Sequence, residues 1–170
     1  MARPSSEHHS SYFKNYVDLV TGEEFLSGLQ DPMPWQQLQS LTETQWSYRY
    51  AADKWSVKQL ILHVSDAERV FAYRALRLAR HDKTALPGFD QDLFVDNSRA
   101  EERSGESLIN EFKSVRQASI HLYDSLSAGQ LEQMGDCGGA QTTVNALGFV
   151  TLGHQIHHFN ILSEKYSLWK

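Results

Sequence analysis

The segment DKWSVKQLILHVSDAERVFAYRALRLARHD constrains this chain more than any other. Within it Val57, Leu60, Ile61, Val64, Ala67, Phe71, Ala75 and Leu78 recur at the spacing that gathers side chains on one face of an α-helix. Ser56 stands where an N-cap is wanted, so a helix is predicted over Val57–Arg80. A helix with one apolar face must be covered by other elements. The rest of the chain offers helices to do it. One is predicted from about Phe13 to Leu29, with Phe13, Tyr16, Val17 and Val20 on one side, Gly22 weakening its middle, and Pro32 and Pro34 stopping it. A short helical turn follows around Gln36 to Leu41. A third helix starts near Ser104 with Leu108, Phe112, Val115, Ser119, Leu122 and Leu126 inward, and a fourth runs from a Thr142 or Thr143 cap to about Tyr166. No strand periodicity is visible, so the fold class is all-α and a four-helix bundle is the economical arrangement. GDCGGAQTT reads as a loop, and TALPGFDQDLFVDNSRAEER as a long connection of the kind that packs over an opening.

A chain of 170 residues suits a single domain, here 13–170 behind a polar, flexible 1–12. Hydrophobic residues at 41% and a formal charge of −5 fit a globular protein and lack the basic footprint of a nucleic-acid binder. The only cysteine, Cys137, allows no internal disulfide and reads as a loop thiol in a reducing compartment. The N-terminus has no apolar signal core, and no apolar run is long enough to span a membrane, so a cytoplasmic location is expected.

The remaining anomaly is eight histidines. On the fourth helix Val144, Leu147, Thr151, His154, His158, Ile161 and Leu162 form one stripe, and His154 and His158 lie one turn apart on it. This i, i+4 spacing lets two imidazoles converge on one metal ion. His63, on the flank of the second helix's apolar stripe, is the candidate third ligand. Three neutral histidines leave a metal with open positions for water or substrate. Spacing alone leaves the alternative open that these are core histidines hydrogen-bonded to their surroundings. His157 sits a quarter-turn aside, His81 and His121 read as surface or helix-end residues, and His8 and His9 belong to the N-terminal segment.

Glu68 lies beside the same stripe of the second helix, with Arg74 on its other side. A buried carboxylate there is either half of an ion pair or a general base beside the metal, so Glu68 is the candidate catalytic residue. Asp66 and Arg69 should face solvent. Phe149, Leu152, Ile156 and Phe159 form a second apolar stripe, opposite the histidines. The first helix could cover it, or a second copy could, and a homodimer through this face is expected.

With these residues placed, KWSVKQLILHVSDAERVFAYRALRLAR, LPGFDQDLFV and the terminal GHQIHH run resemble the DinB/YfiT-like superfamily of damage-inducible helical metalloenzymes. The resemblance covers most of the chain. It implies a four-helix bundle, often dimeric, with His63, His154 and His158 as ligands of a divalent ion, zinc or nickel. It also implies a metal-dependent hydrolase acting on a small-molecule substrate. The alternatives are a thiol-dependent S-transferase or isomerase using a low-molecular-weight thiol, and a non-catalytic metal-binding stress protein.

Overall fold

In the computed structural model, which describes residues 3–169, the chain opens with α1 (Ser11–Leu19) and α2 (Phe25–Leu29). The short α3 (Met33–Gln39) and α4 (Glu43–Trp46) precede the long α5 (Val57–Ala79). The connection after α5 holds α6 (Gln91–Asp96) and one 3-10 turn, Ala100–Glu102. Then come α7 (Gly105–Asp124), α8 (Ala128–Leu131), strands β1 (Met134–Asp136) and β2 (Gln141–Thr143), and α9 (Val144–Glu164).

The three long helices begin where the sequence places their caps. Ser56 and Gln59 form a capping box at α5, the Ser104 hydroxyl caps α7, and the Thr143 hydroxyl caps α9. α5 packs on both α7 and α9, α1 lies on α9, and α2 bridges α7 and α9, so α1 and α2 together supply the fourth member of the bundle. The Tyr166 hydroxyl, past the end of α9, donates to the Trp55 carbonyl before α5 at 2.6 Å, as antiparallel packing of the two helices requires. Among the described residues no helix is long and apolar enough to cross a membrane.

Several expectations are corrected. The first helix is two, because the chain turns extended at Val20 and re-enters helix only at Phe25. Pro34 opens α3 instead of stopping a helix, a position where its missing N–H costs nothing. GDCGGAQTT is a short antiparallel hairpin, Met134 opposite Thr143 and Asp136 opposite Gln141, turned through Gly138 and Gly139 at positive φ. The N-terminal segment is packed: Arg3 bonds the Val17 and Val20 carbonyls, and the His8 carbonyl accepts from the Thr143 amide at 2.9 Å.

The expected dimer face is also accounted for within one chain. Phe149 meets the Phe25 ring at 5.5 Å, Leu152 lies beneath Gly28, and Phe159 stacks on Trp169 at 5.6 Å. Phe149, Leu152 and Phe159 are buried and Ile156 is partly buried against the core, so most of this stripe is covered within one chain. The helix break is the physical reason, since it lets α1 and α2 fold over α9 separately.

The core has two apolar clusters. One gathers Ala67, Phe71 and Leu147 with α1 and α2, and the other gathers Leu60, Ile61 and Leu162 with Phe112. On α9 the histidines lie between the residues given to the two clusters, and on α5 His63 sits among residues of the second, just before the first begins at Ala67.

Candidate metal centre

His63 comes from the second turn of α5, and His154 and His158 from successive turns of α9. The antiparallel packing brings all three together. His154 Nε2 lies 3.2 Å from His63 Nε2 and 3.2 Å from His158 Nε2, and one ligand nitrogen from each ring falls within 4.8 Å of the others. With metal–nitrogen bonds of about 2.1 Å, such a separation subtends roughly 100° at a shared ion, between octahedral and tetrahedral. His154 Nε2 has a single in-plane site, an N–H or a lone pair, so without a cation it can make a proper hydrogen bond with only one of its two neighbours. The donor set therefore fits a divalent ion.

The electrostatics agree with the geometry. The three rings are 2%, 5% and 8% exposed. Burial pushes His63 down to about 4, with the nearby His157 adding to the shift, and holds His154 and His158 well below the usual imidazole range. All three are neutral at pH 7, the form that ligates. Aromatic rings fix their orientation: Trp55 lies 4.8 Å from His63, Tyr16 is 5.3 Å and Phe71 5.6 Å from His154. His157 stands outside the cluster, half-buried, with its ring against Tyr16 and His158.

A cavity of about 390 Å³ reaches His63 and His154. Tyr16, Phe71 and Phe89 line it, with Arg74, Cys137 and Gly138 on the wall. Part of the long connection thus shapes the opening, as its length suggests, through Phe89 and Gln91. A second cavity of about 440 Å³, lined in part by Trp55, Asp53 and Asp92, touches His158. Cys137 lies in the loop between β1 and β2 as a buried wall residue, and burial pushes its thiol up to about 11.

Glu68 is not at the cluster. Its carboxylate receives Arg116 Nε at 3.0 and 3.2 Å and Nη2 at 2.8 Å, with both side chains 2% exposed. Among the described residues its hydrogen bonds go to Arg116 alone, and it does not line the cavity. Of the two readings for it, the ion pair exists, and its partner is Arg116. Arg116 was legible on one stripe with Leu108, Phe112, Ser119 and Tyr123, but counting apolar residues selects Val115 instead. Arg69 faces solvent as expected, whereas Asp66 is half-buried beside it. His81 and His121 are exposed, and His9 is buried away from the site.

A family model described as the DinB superfamily matches residues 35–162. Among solved structures, YfiT from Bacillus subtilis is described as a probable metal-dependent hydrolase with an unusual four-helix bundle topology. It aligns with a TM-score of 0.66 over 97% of this chain and 93% of its own, at 16% identity, a likeness that speaks for the fold. Comparison with curated protein sequences gives no match. The matched span runs from α3 to the end of α9 and includes all three histidines, and on that match the chain belongs to the DinB superfamily.

Proposed function

We propose that His63, His154 and His158 hold one divalent ion, zinc or nickel, and that the protein is a hydrolase of a small molecule bound in the adjoining cavity. The observation that carries this reading is the convergence of three buried, neutral imidazoles at a cavity that reaches two of them. A sealed cluster would suit a purely structural ion better. The description of YfiT as a probable metal-dependent hydrolase supports the same class. A divalent ion bound there supplies Lewis acidity, polarising a carbonyl or lowering the pKa of a coordinated water or thiol. The chain's own part is positioning: Trp55, Tyr16 and Phe71 hold the imidazoles in place, and the aromatic wall sheds water from the substrate.

A second reading, thiol-dependent transfer or isomerisation, is favoured by one observation. Among the described residues no carboxylate lines this cavity, the acidic Asp53 and Asp92 lying on the His158 side. A thiol, far more acidic than water, makes a smaller demand on a protein base. Cytoplasmic residence belongs with either reading, which both suit the reduced thiol of Cys137.

The test is metal content after loading with zinc or nickel and dialysis. Wild type should retain about one ion per chain, and His63→Ala, His154→Ala and His158→Ala should each lose most of it. His157→Ala should keep it. Stoichiometric metal in the His154→Ala and His158→Ala proteins would refute the site.

A further inference from the structure

His63, Ala67, Phe71 and Arg74 succeed one another along a single row of α5. All but Ala67 line the same cavity, Arg74 lying about 16 Å beyond His63 along the helix axis. Helical side chains lean toward the N-terminus, so Arg74 leans back toward the histidines.

Arg74 is 4% exposed, and it lacks what a buried guanidinium ordinarily has. Among the described residues its one hydrogen bond runs from Nη2 to the Pro87 carbonyl at 2.7 Å, and no carboxylate lies within ion-pair distance. Asp136 acts on it only from further away, and its carboxylate is engaged by the Gly139 amide at 2.7 Å. Contrast Arg116, whose charge meets Glu68 through three contacts. A guanidinium has five donors in a planar fork that matches a carboxylate. Arg74 thus brings a nearly complete set of unused donors to the wall of a cavity that Tyr16, Phe71 and Phe89 also line.

We propose that the substrate is an anion, its carboxylate held by Arg74 at the far end of the cavity from the three histidines, with an apolar body along Phe71, Phe89 and Tyr16. The proposal rests on the reading of this cavity as the substrate site. It makes Arg74 the residue that sets substrate class and orientation, so that the reacting group of the same molecule is presented at the histidines.

The experiment compares 4-phenylbutyrate with its neutral amide, 4-phenylbutanamide, as probes for the full chain. Binding is followed by calorimetry on metal-loaded and on chelator-treated protein, the latter so that no cation competes for the carboxylate. Wild type should bind the acid about tenfold or more tighter than the amide. Arg74→Gln should erase that preference with metal content at the wild-type level, and Arg74→Lys should retain part of it. In wild type labelled with nitrogen-15, the Arg74 Nε–H resonance should shift with the acid and not with the amide, a readout that needs no variant. Equal affinity for acid and amide, a preference that survives Arg74→Gln, or an unmoved Arg74 resonance would each overturn the proposal. Metal retained with no acid preference would sink this proposal alone. Acid preference in a protein that takes up no zinc or nickel on loading would sink the metal reading and leave the anion site standing.

Discussion

At the scale of single residues, Glu68 is a charge that the fold tolerates only because Arg116 answers it. Both are enclosed, so removing one leaves the other stranded in the interior. Glu68→Gln should therefore cost about 3–5 kcal/mol in urea denaturation. The double variant Glu68→Leu with Arg116→Met, which removes both charges, should recover most of that loss. Its metal content should match wild type, since neither residue touches the histidines. A double variant that is stable and metal-loaded yet shows no turnover would make Glu68 a base after all. The three histidines were legible because the i, i+4 rule is local and His63 sits on the flank of a clear stripe. The partner of Glu68 was not, because a buried arginine contributes nothing to an apolar count.

At the scale of elements, the contact of α1 with α9 is made at Gly153, the glycine of the GHQIHH run. A Cβ there would fall on the backbone of Tyr16, closer than any non-bonded contact allows. This close approach sets the Tyr16 ring against both His154 and His157. Gly153→Ala gives a prediction whose sign is decisive. In an isolated helix, alanine is better than glycine by about 1 kcal/mol. Here the added methyl must push two backbones apart, and thermal or urea denaturation should show a net loss of about 3 kcal/mol. A stabilised variant would mean that α1 does not rest on α9 as described. The long elements were readable because α5, α7 and α9 combine long periodic stripes with caps at Ser56, Ser104 and Thr143. The hairpin was not, since three-residue strands are too short to show a period. α9 was half-read: its second stripe announced a need for cover, and only the tertiary structure says that α1 and α2 provide it.

At the scale of the whole molecule, the histidine cluster interrupts an otherwise apolar interior, and the stability of the protein inherits its titration. An imidazole in the unfolded chain takes a proton near pH 6.5, while burial holds His63 down to about 4 and His154 and His158 well below their usual range. Between about pH 6.5 and 4 the unfolded chain therefore binds more protons than the native one, so stability rises with pH through that window. It is fully present above about pH 6.5 and is lost as the solution is acidified, with His63 alone worth about 3 kcal/mol by the lower end. A surface carboxylate such as Asp82, held at about 2 by its bond to Arg77, acts only below the ordinary carboxylate range. The interval from pH 6.5 to 5 thus reports chiefly on the imidazoles, with Asp66 the carboxylate that burial pushes up toward it. Urea denaturation of chelator-treated protein across that interval should show the unfolding free energy falling steadily, and His63→Phe should flatten part of the slope. A bound divalent ion adds stability at neutral pH, and because it competes with protons for the same nitrogens it should steepen the fall. A flat profile from pH 7 to 5, with or without metal, would mean that these imidazoles reach solvent and that the interior is not closed around them.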